Sequence, residues 1–121
     1  MTKKDYSLYK NPKIWGESGW TLIHCITYTY PDNPSPSDIK NYETFFLSLQ
    51  NVLPCPYCKE HYSKYIQNNP IKTHLSSKNK IINYFIKLRN YIDKHYKNKK
   101  PLTIKQSKNL IDFNIRNKLY K

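Results

Sequence analysis

Glycine, cysteine and arginine are all scarce in this chain of 121 residues. It contains 2 Gly and 3 Cys, and the 21 basic residues include arginine only at Arg89 and Arg116. The chain has few glycines, its prolines lie between the apolar segments, and no stretch alternates apolar and polar residues. This combination favours an all-helical fold. An odd number of cysteines, in a chain without a secretory signal, argues against a disulfide-scaffolded secreted module.

Long apolar runs are also missing. None approaches the roughly 20 residues that a helix needs to cross a bilayer. Residues 1–13 are polar and lack the apolar centre of a secretory signal. We therefore expect neither a membrane span nor a secretory signal. In a reducing compartment a CxxC sequence more often indicates redox chemistry or metal binding.

Acidic residues are also few. The chain has 8 Asp and Glu and 21 Lys and Arg, which gives a formal net charge of +13. Such charge favours nucleic acid, an anionic membrane or a phosphate-bearing cofactor. A solvated lysine surface arising from compositional bias explains it as well, and we prefer that explanation. Nucleic-acid binders usually favour arginine for bidentate contacts, so we expect no specific nucleic acid and no membrane as partners.

Aromatic residues, by contrast, are abundant at 15% of the chain, with 12 Tyr and 2 Trp. Large rings bury much area per residue and often line flat cofactors. The length allows one domain with one core. We expect a single domain over residues 1–121, with its core at about 12–119 after a short polar N-terminal tail.

Capping residues and prolines predict five helices in a compact bundle. Asn11 caps the first, Ser35 the second and Thr103 the fifth. Cys55 lies at or near the N-cap of the third, and Ser76-Ser77 opens the fourth. The predicted helices cover about 12–28, 36–52, 56–67, 77–96 and 104–119.

The first helix carries two apolar stripes. Trp20, His24 and Tyr28 are spaced four apart on one face, a pattern that ordinary core packing also explains. The second stripe contains Leu22, Cys25, Ile26 and Thr29.

The segment Cys55-Pro56-Tyr57-Cys58 places a CxxC pair at a predicted helix start. The unpaired N–H groups and partial positive charge there favour a thiolate, and one turn of helix brings both sulfurs within disulfide reach. This geometry predicts a redox-active dithiol.

Zinc binding is the alternative for the same pair, and two unreactive thiols are another. Zinc needs two further ligands, and the candidates are His24, His61, His74, His95 and Cys25. The spacing favours redox chemistry, because neither a second CxxC nor an HxxxH is present.

Three segments together resemble the Erv/ALR family of FAD-linked sulfhydryl oxidases. Residues 15–24, WGESGWTLIH, followed by Tyr28 and Pro31, resemble its WGxxxWxxxH signature. Residues 53–61, LPCPYCKEH, are similar to its redox motif with a trailing CxxH. Residues 88–101, LRNYIDKHYKNKKP, resemble a degraded form of its HNxVNxxL…KP segment.

The resemblance implies a four-helix bundle plus a short fifth helix, with FAD at the bundle mouth. It implies that Cys55 exchanges with the dithiol of a protein substrate and that Cys58 is the thiol beside the flavin. Electrons then pass to FAD and on to O2, producing a disulfide and H2O2.

The FAD site follows from the same resemblance, residue by residue, and no metal is implied. The residues are Trp15, Gly16, Trp20, His24, Tyr28, His61, Arg89, Asn90, Ile92, Asp93, Tyr96 and Lys100. Gly16 is expected to permit close approach of the cofactor, and Lys97, Lys99 and Lys100 are expected to neutralise its diphosphate.

Two positions depart from the family pattern on the adenine side of the site. Arg89 replaces the usual His and Asp93 the usual Asn. We hypothesise that Arg89 stacks on adenine while Asp93, one turn away, pairs with it. Weakened or lost FAD binding is the alternative.

Cysteines are absent from the N-terminal stretch and after Pro101, so the resemblance implies a minimal enzyme without a shuttle pair. Such an enzyme takes electrons directly at Cys55. Cys25 is expected to be a buried thiol, with an intermolecular disulfide as the alternative.

The chain is similar to the minimal oxidases of large DNA viruses. For a viral protein this implies the host cytoplasm and the virion as locations. The family implies a homodimer through the first two helices. A catalytically degenerate structural relative, or a basic zinc-binding or nucleic-acid-binding module, are the alternative functions.

Overall fold

The computed structural model describes residues 4–120, and within that range every regular element is helical. The helices are α1 (Pro12–Tyr28), α2 (Pro36–Val52), α3 (Pro56–Asn68), α4 (Lys78–Lys97) and α5 (Ile104–Leu119). The all-α prediction is confirmed. The predicted domain span of 1–121 includes residues 1–3 and 121, which lie outside the described residues.

The helix starts follow the predicted caps. The Asn11 side chain accepts the Lys13 N–H at the start of α1. Ser35 and Thr103 open α2 and α5 with reciprocal capping boxes, in which the third helical residue bonds back to the cap. Each cap satisfies backbone donors that have no partner within the helix.

The end of α4 depends on Asn98, whose backbone is left-handed with φ 48° and ψ 33°. Asparagine tolerates this conformation better than most residues that carry a side chain. The turn directs the chain through Pro101 towards α5.

The bundle is built around α4, which packs against α1, α3 and α5, while α2 packs against α3. Its core is aromatic as well as aliphatic. Tyr30 and Tyr62 are 1% and 2% exposed. Their hydroxyls donate to the carbonyls of Leu75 at 2.6 Å and Phe46 at 2.7 Å. The rings can therefore be buried without leaving an unpaired polar group.

The fifth helix has 16 residues and is longer than α3, which has 13, so it is not the short helix that the family resemblance implied. Ile111 of α5 packs against Ile82 and Ile86 of α4, with Tyr28 at the edge of this cluster. This second apolar cluster anchors α5 and closes one side of the bundle.

Cys25 is exposed, so the expectation of a buried thiol was wrong. His24 and Thr27 are the buried residues of α1. Successive helical residues are about 100° apart, so Cys25 lies off that inward face.

No helix in residues 4–120 combines the length and apolar character that crossing a membrane requires.

Candidate functional site: a dithiol and a cationic cavity

The two cysteines of the CxxC segment meet at the start of α3. Cys55 is the N-cap residue, and its sulfur accepts the backbone N–H of Cys58 at 3.2 Å. Both thiols are free, with Cys55 8% and Cys58 6% exposed. The predicted pair is thus assembled as a buried dithiol, because Pro56 begins the helix and one turn brings the second sulfur back to the first.

Tyr96, in the last turn of α4, reaches both sulfurs. Its hydroxyl donates to Cys58 Sγ at 3.1 Å and lies 3.5 Å from Cys55 Sγ. Burial, followed by the hydrogen bonds to Cys58 and Cys55, raises the pKa of Tyr96. The phenol therefore stays protonated and acts as a donor.

The surroundings of the two thiols differ in their effect on acidity. Burial works to raise the pKa of Cys55, but hydrogen bonds from Cys58, Tyr96 and the nearby backbone outweigh it and hold that pKa below its ordinary value. Burial, together with the bond to Cys55, raises the pKa of Cys58 to about 11. The first thiolate to form is therefore on Cys55, at the helix N-terminus.

His61 lies one turn beyond Cys58 and is 8% exposed. Its Nδ1 donates to the Tyr57 carbonyl at 2.9 Å, which leaves Nε2 as the acceptor of the neutral ring. The rings of Tyr57, His95 and Tyr96 surround it at centroid distances of 4.3, 4.8 and 5.8 Å. These rings form an aromatic wall behind the dithiol.

Arg89 organises a second region, between α1 and α4. Its guanidinium donates to His24 Nε2 at 3.0 Å and to both carboxylate oxygens of Glu17 at 3.0 and 3.1 Å. Its Nε lies 3.7 Å from Asp93, as the predicted one-turn pairing requires. Its Cζ is 5.5 Å from the centre of a Trp20 ring. The position that departs from the family signature thus holds several groups together.

Glu17 was missed in the sequence analysis. It pairs with Arg89 and also with Lys97 at 3.5 Å, so Lys97 is engaged there instead of lining the cavity. Burial works against the charged form, but Arg89 and Lys97 outweigh it and lower the pKa of Glu17. The sequence did offer a signal for Glu17, because it is an acidic residue inside the WGESGW segment of a chain that has few acidic residues.

His24 has one ring nitrogen with no partner. A guanidinium can only donate, so Nε2 accepts from Arg89 and the proton of the neutral ring is on Nδ1. Burial, and then the charge of Arg89, lowers the pKa of His24 to about 4 against the opposing effect of Glu17. The residue is 2% exposed, and Nδ1 has no hydrogen-bond partner among the described residues. Buried donors without an acceptor are rare in folded proteins, so this N–H is available to an acceptor atom from outside the chain.

A cavity of about 330 Å³ opens beside His24, between α1, α4 and α5. Among the predicted site residues it is lined by His24, Arg89, Asn90, Asp93 and Lys100. Its other lining residues include Lys99, Leu102, Ser107 and Asn114. Asn90 Nδ2 donates to the Leu102 carbonyl at 3.1 Å, which fastens the segment before α5 to α4.

The remaining predicted site residues lie around these two regions. Trp20 stacks on His24 with ring centroids 5.8 Å apart and planes inclined by 22°. Trp15 donates from Nε1 to the Lys10 carbonyl at 3.3 Å. Ile92 packs on the main core, and Tyr28 packs on the cluster that joins α4 and α5. A Cβ added at Gly16 would meet the Pro12 side chain at 3.8 Å, and apart from the backbone of α1 and the two chain neighbours it would meet no other atom of residues 4–120 within 4 Å. The protein therefore leaves space beside Gly16.

No cluster of three or more His, Cys, Asp or Glu side chains that could hold a metal ion occurs in residues 4–120. The zinc alternative for the CxxC pair therefore has no ligand set among the described residues.

Comparison with known proteins links these motifs to one family. The Erv1/Alr family matches residues 17–114. A protein of Acanthamoeba polyphaga mimivirus named "Probable FAD-linked sulfhydryl oxidase" is 36% identical over 94 residues, which cover 77% of this chain and 65% of the relative. A relative from Invertebrate iridescent virus 3 is 28% identical over 83 residues, covering 69% of this chain and 56% of the relative. The chain thus spans less than two thirds of the length of these two viral proteins.

The fold is also found in a solved structure. The crystal structure of the yeast Erv1 core superposes with a TM-score of 0.72 at 20% identity, covering 88% of this chain and 83% of that one. A match of this extent shows the same helical fold. Together with the family match over residues 17–114, it confirms the resemblance seen in the sequence, and this chain belongs to the Erv1/Alr family.

Proposed function

We propose that the protein is an FAD-dependent thiol oxidase that forms disulfides in partner proteins. The observation that carries the proposal is the Cys55–Cys58 dithiol, assembled at a helix N-terminus in an Erv1/Alr chain. Its neighbourhood lowers the pKa of one thiol and raises that of the other, which is suited to stepwise thiol exchange.

The second region fits FAD in three respects. His24 Nδ1 offers a buried N–H without an acceptor, which a cofactor heteroatom can supply. Lys99 and Lys100 bring positive charge to the cavity, as a diphosphate requires. Gly16 leaves space on α1. When bound, FAD supplies two-electron acceptor chemistry and transfer to O2, which no amino-acid side chain provides.

The residues that would hold the cofactor divide between the two regions. His24, Arg89, Asn90, Asp93 and Lys100 contribute from the cavity. Trp15, Gly16, Trp20, Tyr28, His61, Ile92 and Tyr96 contribute from its surroundings and from the dithiol end. Arg89 keeps its role as the adenine platform in this proposal, because it lines the cavity while Asp93 and Glu17 balance its charge.

Thiol exchange begins with the oxidised pair. A substrate thiolate attacks the Cys55 sulfur, a mixed disulfide forms, and the Cys55–Cys58 bond breaks with its electron pair leaving on Cys58. The second thiolate of the substrate then attacks the mixed disulfide and releases Cys55. The substrate has lost two electrons and gained a disulfide, and the protein holds the reduced dithiol.

The partner is accordingly a dithiol-containing protein that reacts directly at Cys55, with O2 as the final acceptor and H2O2 as its product. We also propose a homodimer through α1 and α2. Leu22 on α1 and Phe45 and Val52 on α2 are 59%, 43% and 67% exposed, and exposed apolar side chains favour such an interface. For a viral protein we propose the host cytoplasm, and the virion, as locations.

The visible absorption spectrum of the purified protein tests the proposal. An oxidised flavoprotein shows a band at about 450 nm. We expect this band to bleach when dithiothreitol is added and to return in air. A protein that neither retains nor takes up FAD contradicts the proposal and favours a structural relative with a lost site.

A further inference from the structure

The hydroxyl of Tyr96 has no role in the chemistry described so far, although it lies between the two reactive sulfurs. It is 3.1 Å from Cys58 Sγ and 3.5 Å from Cys55 Sγ. Among the described residues, no other side-chain hydroxyl forms a hydrogen bond with either thiol. Tyr96 also stands where the HNxVNxxL signature has leucine, which carries no hydrogen-bond donor.

The geometry points to Tyr96 as a catalytic hydrogen-bond donor that stabilises the thiolate leaving groups of the CxxC pair. This inference rests on the proposed thiol exchange. When a substrate thiolate bonds to Cys55, the departing Cys58 sulfur gains an electron pair and a negative charge, and it is the sulfur at 3.1 Å. When the second substrate thiolate releases Cys55, the same hydroxyl needs to shift by a fraction of an ångström to serve that sulfur.

The donor is held in place by its surroundings. The Tyr96 ring meets the Tyr57 ring edge to face at 4.9 Å and the His61 ring at 5.8 Å. The ring is thus fixed by packing while its hydroxyl faces the sulfurs. Burial and the sulfur contacts keep the phenol protonated, so it contributes a hydrogen bond without taking a proton from either thiol.

A donor to a charged sulfur is worth more than a donor to a neutral one, because hydrogen bonds to ions are the stronger kind. Tyr96 therefore favours the thiolate over both the thiol and the disulfide. Loss of the hydroxyl makes the dithiol less acidic and makes the Cys55–Cys58 disulfide harder to reduce.

The test measures alkylation of the reduced protein by iodoacetamide as a function of pH, in a Cys25→Ser background so that the exposed third thiol does not react. We expect Tyr96→Phe, which keeps the ring, to move the alkylation profile to higher pH and to slow the reaction at neutral pH roughly tenfold. Tyr96→Leu, which restores the signature residue, is expected to behave in the same way.

Tyr62→Phe is the matched control, since it also removes a buried tyrosine hydroxyl, one that bonds the Phe46 carbonyl. We expect its alkylation profile to follow that of the background protein. Circular dichroism checks that each variant is folded. Superimposable profiles for Tyr96→Phe and the background overturn the inference.

Alkylation needs neither FAD nor O2, so the inference and the proposed function can fail separately. A colourless protein whose alkylation still depends on Tyr96 contradicts the oxidase and supports the donor. A yellow, active oxidase with unchanged alkylation in Tyr96→Phe supports the oxidase and contradicts the donor.

Discussion

The two halves of the site differ in how completely their polar groups are paired. At the dithiol end, the Tyr96 hydroxyl contacts both sulfurs, and Cys55 Sγ also accepts the backbone N–H of Cys58. In the cavity, His24 Nδ1 lacks an acceptor, and Lys99 and Lys100 form no ion pair among the described residues. The first region pairs its polar groups within the protein, whereas the second leaves groups to which the proposed cofactor would bind. Dithiol chemistry and cofactor binding should therefore be separable by mutation.

Cys58→Ser is expected to give the largest difference between the two regions, because it should abolish oxidase activity without changing FAD content. It removes the sulfur that leaves when Cys55 is attacked, so oxidase activity is expected to fall by a factor on the order of a thousand or more. The cavity is untouched, and FAD content should stay at the level of the unmodified protein. Oxygen consumption with dithiothreitol measures the activity, and the flavin absorbance measures the cofactor.

The exposed Cys25 supplies the control for that substitution. Cys25→Ser is expected to retain both activity and cofactor. Appreciable turnover in Cys58→Ser would show that the reactive pair lies elsewhere.

Arg89→Ala is expected to weaken FAD binding in the cavity and to leave the chemistry of the dithiol unchanged. It leaves Asp93, with its side chain 19% exposed, and the buried His24 without their shared donor. The substitution also removes the proposed adenine platform and the group that holds both side chains in position, so we expect FAD affinity to fall roughly tenfold to a hundredfold. Flavin titration measures the affinity.

Arg116→Ala is the matched control, because Arg116 and Asp112 form an exposed one-turn pair on α5. Such pairs contribute little, so FAD affinity should be unchanged. Equal affinities for Arg89→Ala and Arg116→Ala would remove Arg89 from the proposed site.

The lowered pKa of His24, which lines the cavity, predicts that the stability of the protein depends on pH. Its pKa is about 4 in the folded protein against 6.5 for an unperturbed histidine. Between these values the unfolded chain binds more protons, so the free energy of unfolding falls as the pH falls from 6.5 towards 4. The steepest slope from one such proton is about 1.4 kcal/mol per pH unit.

Urea denaturation at about pH 7 and about pH 5 measures this difference. His24→Asn cannot titrate in this range, and we expect its two stabilities to lie closer together than those of the unmodified protein. An undiminished difference would mean that His24 is not the group responsible.

Replacing Lys99 and Lys100 together by Gln is the mildest of these changes. Both side chains are exposed, so screening by solvent and salt limits their contribution. We expect FAD affinity to fall about twofold to fivefold at low salt and to match the unmodified protein at high salt. Lys118→Gln, at the far end of α5, should have no effect in the same titration.

Local features of the structure were predictable from the sequence. The five helices begin at the predicted starts, which were Asn11, Ser35, Cys55, the Ser76-Ser77 pair and Thr103. A cap depends on a side chain and backbone groups two or three residues away, so a short stretch of sequence contains all the information needed. The same holds for the CxxC pair, which one helical turn brings together.

Contacts between distant segments were not predictable in this way. Nothing local connects Glu17 with Arg89, or Tyr96 with Cys58, because each pair is joined by the packing of α4 against another helix. The exposure of Cys25 had the same origin, since helical spacing defines two faces of α1 but does not say which one meets α4. The family signature supplied the predicted site residues, which stay predictions, and it did not point to Glu17, because Glu17 occupies a variable position of the WGxxxWxxxH motif.

The amino-acid sequence by itself determined the helices, the placement of the dithiol at the start of α3 and the family. These follow from capping, periodicity and short motifs, all of which act within a few residues of chain. The tertiary structure alone decided which groups remain unpaired. It buries His24 against Arg89 with one nitrogen left over, and it brings a phenol from the end of α4 to the two sulfurs. Burial and pairing depend on which helices meet, and that is a property of the whole bundle.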